Sequence, residues 1–135
     1  MTHTVNVTKI IDGSRYAVLH VFVEGDGQSA DLENSVLLDP SEDEVSDAVR
    51  YVLEKVEYDL YKFMGRIEFD TGGVTPNLIL VMTPNGGNCV DFREDGGLKD
   101  RINPLTGTGK VLFSTVGLNE ANAQGSFIMK FRKVS

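Results

Sequence analysis

Tryptophan is absent from this chain, and Cys89, His3 and His20 are its whole complement of cysteine and histidine. With one cysteine there is no internal disulfide, so the fold has to be held by its core. A lone thiol behaves first as a small, half-buried apolar residue. As a nucleophile Cys89 would need an imidazole beside it, and only His3 and His20 could supply one. His20 lies in an apolar stretch with no second histidine near it, which argues against a metal set. The missing tryptophan removes the usual platform for stacking a sugar ring. Cations are short as well: 13 Lys and Arg against 20 Asp and Glu leave a net charge of -7. Such a surface repels phosphate backbones and disfavours direct nucleic-acid binding. No apolar run approaches the ~20 residues of a membrane-crossing helix, so no membrane partner is expected. Met1 to Thr4 has neither a basic nor a long apolar stretch, and we expect no secretion signal and a cytosol-like compartment.

What is present is a repeated strand-and-turn pattern. The 135 residues fit one domain, 1–135, with an apolar content of 41% and 14 glycines to supply turns. Thr4 to Ile11 alternates β-branched and polar residues, and Asp12-Gly13-Ser14 turns the chain. Ala17 to Val23 is nearly continuous in apolar character and predicts a central strand. Val36 to Asp39 is a short strand stopped by Pro40. Ser41-Glu42-Asp43-Glu44 matches a capping box, and helical spacing runs on to Val56. Extended alternation starts later, with Val52, Val56, Tyr58 and Leu60 on one side. The two patterns resolve as a short helix or irregular turn near residues 42–49 and a strand from about Tyr51 to Phe63. Arg66 to Asp70 then reads as the return strand of a hairpin turning at Gly65. Leu78 to Met82, Cys89 to Phe92, Val111 to Val116 and Ser126 to Lys133 complete the strands. Leu98, Ile102 and Leu105 are apolar anchors in the polar connection before Gly109. This spacing argues for an antiparallel sandwich or barrel.

No motif carries chemistry. Gly107-Thr108-Gly109-Lys110 has the end of a phosphate-binding loop, but Pro104 stands where its first glycine belongs and Val111 where its hydroxyl belongs. A strand follows it, so no helix N-terminus faces a phosphate. The acidic groups Asp26/Asp31/Glu33, Glu42/Asp43/Glu44/Asp47 and Asp91/Glu94/Asp95 lack the spacing of a calcium loop. Glu57 with Asp59, and Glu68 with Asp70, place paired carboxylates on one strand face, yet a glycosidase needs such a pair across a sugar-binding cleft. On the last strand Phe127, Met129 and Phe131 share one face and Ile128, Lys130 and Arg132 the other. Lys130, Arg132 and Lys133 form the densest basic spot, a salt-bridging site for a partner or the guard of an edge strand. The expectation is therefore no catalytic, cofactor-binding or metal residue and no cofactor.

Several stretches together resemble small virion structural proteins of tailed bacteriophages. They are Val7 to Phe22, Leu37-Leu38-Asp39-Pro40, Gly96 to Asp100, Gly107 to Gly117 and Phe127 to Lys133. The resemblance implies a single antiparallel β-sandwich, jelly-roll-like, with at most one short helix. It implies a capsid decoration or cement protein that binds the major capsid protein and neighbouring copies on the shell, assembled in the host cytoplasm and located on the capsid surface of the virion. It carries no catalytic residues. A head–tail connector or tail component, or a non-viral carbohydrate-binding sandwich, are the alternatives. The Met1 to Val5 segment reads either as the frayed end of the first strand or as a loose arm that orders on a neighbour.

Overall fold

The computed structural model describes residues 3–42, 50–70, 77–84, 86–98 and 109–134. Among them run nine strands: β1 (Thr4–Asp12), β2 (Tyr16–Glu24), β3 (Ser35–Leu38), β4 (Arg50–Tyr61), β5 (Met64–Phe69), β6 (Asn77–Met82), β7 (Gly86–Asp91), β8 (Val111–Val116) and β9 (Gln124–Val134). They form two sheets, ordered β1-β2-β9-β4-β7 and β3-β8-β5-β6. Every pairing is antiparallel.

The order has a simple logic. β5 pairs β6, β4 pairs β7, β3 pairs β8 and β2 pairs β9. That is one long hairpin, centred on the β5–β6 connection and rolled up so that alternate strand pairs fall in opposite sheets. The result is a jelly-roll β-sandwich, with β1 added outside the eight rolled strands.

Alternation selects the core. Ala17, Leu19, Val21 and Val23 of β2 are fully buried, as are Met129 and Phe131 of β9, with Phe127 beside them. From the other sheet Ile67, Phe69, Met82, Val111 and Phe113 meet them. The Phe113 and Phe127 rings, one from each sheet, lie 5.1 Å apart and place β8 against β9. Each such side chain contributes roughly 1.5–3 kcal/mol by leaving water, which lets the domain do without disulfides.

Three expectations are corrected. Val52 does not share a face with Val56, Tyr58 and Leu60. The β4–β9 register slips between Leu53 and Lys55, leaving Glu54 as an extra residue. A one-residue bulge reverses the alternation, so Tyr51 and Leu53 face the core before it, and Val56, Tyr58 and Leu60 after it. Val52 is buried on the outer face instead, beside Gly97. Second, β4 and β5 are not a hairpin, since they lie in different sheets. The chain crosses between sheets at Lys62 and Phe63, with Lys62 at φ 68. Gly65 is not the turn; it lies within β5, where an added Cβ would come 2.9 Å from both Met82 Cε and Phe113 Cε1. Third, β9 is no edge strand, because β2 and β4 flank it.

Most of the proposed 42–49 helix lies outside the described residues. Glu42 ends a single 3₁₀ turn, Pro40–Glu42, and the strand expected after it runs from Arg50 to Tyr61. Ile102 and Leu105 also lie outside. Leu98 is an anchor as expected, exchanging backbone hydrogen bonds of 2.8 and 2.7 Å with Leu53.

Candidate binding surfaces

The residues singled out for chemistry are scattered. Cys89 is exposed on β7, and its Sγ lies 3.9 Å from Glu57 Oε1. His20 is half-buried on the outer face of β2, in register with Thr8 and Ile128. His3 is not on a loose arm. Its side chain is 3% exposed, with Nε2 donating to the Ala30 carbonyl at 2.8 Å and Nδ1 accepting the Asp26 N–H at 3.1 Å. The neutral Nε2–H tautomer satisfies both contacts. Thr4 and Val5 already pair with Glu24 and Val23. The described part of the expected arm is thus folded back on its own domain. The three residues bearing imidazole or thiol therefore sit on β7, on the outer face of β2 and beside the 26–30 loop, three separate places in the fold.

The acidic groups do local work. The Asp26 carboxylate accepts the Ser29 hydroxyl together with the N–H groups of Ser29 and Gln28. These bonds, the Ser29 hydroxyl first, hold its pKa below the usual carboxylate range. Asp39 is lowered chiefly by the Ser41 hydroxyl, 2.8 Å away. Asp91 is lowered to about 2 by the forked hydrogen bonds of Arg93, 2.9 Å from Nε and 2.5 Å from Nη2. Asp31 is a hub. It accepts Thr115 Oγ1 at 3.0 Å, the Gly117 N–H at 3.2 Å and the Leu118 N–H at 2.7 Å. That contact ties the β2–β3 connection to the β8–β9 connection. Of the group at 42–47, only Glu42 is among the described residues, and it is exposed. Among the described residues no cluster of three or more His, Cys, Asp or Glu side chains is arranged to hold a metal ion.

The basic spot on β9 is spent internally. Lys130 and Arg132 approach Glu54 at 3.8 and 3.4 Å, and the Glu54 side chain is only 8% exposed. The Lys130 ammonium also lies 4.3 Å from the centre of the Tyr16 ring. Lys133 bonds Asp12 at 2.5 Å. Gly107 and Thr108 lie outside the described residues; Gly109 and Lys110 lead into β8 as the strand reading required.

Two carboxylate pairs were read from strand faces. Glu57 and Asp59 are exposed on the outer face of β4, beside a groove that Asn88, Cys89 and Ile128 also line. Glu68 is different: it is 6% exposed and accepts the Ser114 hydroxyl at 2.7 Å. A serine amid Val111 to Val116 carries no signal of this partner in the sequence.

The surface that stands out is the outer face of the β3-β8-β5-β6 sheet. Register aligns Val36, Leu112, Glu68 and Leu78 in one row, and Ser114, Arg66 and Val81 in the next. Val116 continues it opposite Met64. Val36, Leu78 and Val116 are each about half exposed, and Val81 is 38% exposed. The middle of this face is covered, since Leu112, Glu68 and Ser114 are buried, and the exposed aliphatics lie around it: Val36 on the β3 edge, Leu78 and Val81 on the β6 edge, and Val116 at the end of β8.

No family model matches the chain, and no curated protein does. A solved structure of an RmlC-like cupin family protein with a double-stranded β-helix fold, from Methanocaldococcus jannaschii, aligns over 96% of this chain and 80% of its own, at 9% identity and a TM-score of 0.35. The jelly-roll assignment rests on the strand order.

Proposed function

We propose that this chain is a bacteriophage virion structural protein that decorates and cements the capsid shell, binding the major capsid protein through the outer face of the β3-β8-β5-β6 sheet. The observation that carries the reading is the exposed aliphatic side chains Val36, Leu78, Val81 and Val116 around that face. Protein-binding surfaces place apolar side chains together on an accessible, fairly flat patch. The core offers less to a small ligand, since Phe63, Phe113, Phe127 and Phe131 fill it. A net charge of -7 suits the outside of a shell, away from packaged DNA. Many weak contacts repeated over a lattice give avidity without a deep pocket. The reading assigns no catalytic residue.

The test is the particle. The chain should be found in purified virions in hundreds of copies, as external density. About a dozen copies would identify the connector alternative instead, given the symmetry of such rings. Leu78→Glu and Val81→Glu should leave circular dichroism unchanged and reduce shell occupancy. Absence from virions overturns the reading, and undiminished occupancy of both variants removes this face from it.

A further inference from the structure

We propose that two copies of this chain associate edge to edge along β1, extending the five-stranded sheet across a two-fold axis. The inference begins from an imbalance. Setting β1 aside, the sheets run β2-β9-β4-β7 and β3-β8-β5-β6, four strands each. With β9 against β8, the added strand overhangs the smaller sheet. Burial agrees. Val7 pairs with the fully buried Val21, so its side chain points to the core side, yet it is 40% exposed.

The open edge can be phased. Gly25 N–H bonds Ala123 and Arg15 C=O accepts Lys133 N–H, both towards the β9 side, whereas Tyr16 C=O accepts Gly13 N–H on the β1 side. Backbone groups alternate along a strand, so the even-numbered residues of β2 face β1. Their partners Asn6 and Thr8 therefore bond inward. Val5, Val7 and Lys9 direct their N–H and C=O groups outward, where β1 has no strand neighbour among the described residues.

This edge lacks the usual protection. From Thr4 to Ile11 there is no proline and no carboxylate, and Lys9 is the single charge. The run Thr4 to Lys9 is regular; the bulge comes only after it, between Lys9 and Ile11. The other edges are poorer. β3 has four residues and a bulge, β6 is broken by a register shift, and β7 begins with two glycines and ends at the Asp91–Arg93 pair.

The occupant follows from the self-complementarity of the edge. A second copy brings another net charge of -7, which opposes approach and confines contact to a strip free of carboxylates. Antiparallel pairing centred on Val7 satisfies the outward groups of both copies at once, setting Val7 against Val7 and Val5 against Lys9. Ile10 and Ile11, 54% and 53% exposed, flank the strip. A single strand pair buries less than the ~800 Å² per partner of a standard interface, so the association is weak and concentration-dependent. It stands independently of the shell-binding proposal.

The experiment uses the full chain with Cys89→Ser, which removes disulfide dimers. Sedimentation equilibrium should show a reversible dimer. In hydrogen exchange, the amides of Val5, Val7 and Lys9 should gain protection as concentration rises. Val7→Lys, which sets two cations face to face, should weaken association at least about tenfold, or 1.4 kcal/mol. Val7→Pro, which removes only an outward N–H, should do the same; if it does not fold, Val7→Lys decides. A chain that stays monomeric at its highest soluble concentration overturns the proposal, as does a dimer that Val7→Lys leaves intact.

Discussion

Replacing Phe113 with alanine tests the sandwich at the point where its two sheets meet. Phe113 is fully buried on β8, and its ring lies 5.1 Å from that of Phe127 on β9, tilted by 48°. The truncation removes apolar surface from the centre of the core and leaves a cavity that two hydrogen-bonded sheets cannot close. Losses of about 3–5 kcal/mol are expected for such a change. The tilted ring pair adds a coupling of about 0.5–1.5 kcal/mol beyond area burial. A double-mutant cycle with Phe127→Ala isolates it. Against a total stability of ~5–15 kcal/mol, the single variant should be marginal at room temperature. Urea unfolding followed by circular dichroism is the assay, with the slope unchanged and the midpoint lowered. Phe113→Leu should recover much of the loss. A cost below about 1 kcal/mol for Phe113→Ala, or strictly additive costs in the cycle, would refute the argument that these rings join the sheets.

Three further outcomes are expected. Gly25→Ala should destabilise by about 1–3 kcal/mol in thermal melts, because its Cβ would lie 2.2 Å from the Leu118 carbonyl oxygen. Charge removal at the β4 bulge should be asymmetric. Lys130→Met with Arg132→Met leaves the shielded Glu54 carboxylate unpaired, and should cost more than Glu54→Gln, which leaves two cations with side chains 33% and 41% exposed to water. The pH dependence has a defined sign. Asp26, Asp39 and Asp91 all have lowered folded-state values. Their contribution is full above the unfolded value of 3.8 and is lost as pH falls through the folded value, about 2 for Asp91. Asp91→Asn should flatten that acid limb in urea titrations between those two values, and an unchanged limb would remove Asp91 from the account.

Much of the strand layout was legible because a half-buried strand writes its burial into alternate residues. Phe127 to Phe131 states both strand and inward face, whereas the nearly continuous apolar run Ala17 to Val23 states the strand alone. The Leu98 anchor could be read from one apolar residue in a polar stretch. The Glu54 bulge could not, although the shift from odd to even core positions between Leu53 and Val56 is visible afterwards. The candidate binding surface was less legible. Val36, Leu78, Val81 and Val116 are spread over 81 positions of sequence, and each alone reads as another strand residue.

The sequence by itself determined that this is an all-β domain with no internal disulfide and an acidic surface. Those properties follow from composition and local period, which need no partner. Tertiary structure alone decided which strands lie side by side. Neighbours in sequence such as β4 and β5 fall in different sheets, and β2 meets β9 across a hundred residues or more. Pairing at that separation is set by which rolled hairpin buries every apolar face at once, a condition on the whole chain rather than on any stretch of it. The overhang of β1 and the aliphatic face of the smaller sheet exist only once that roll has closed.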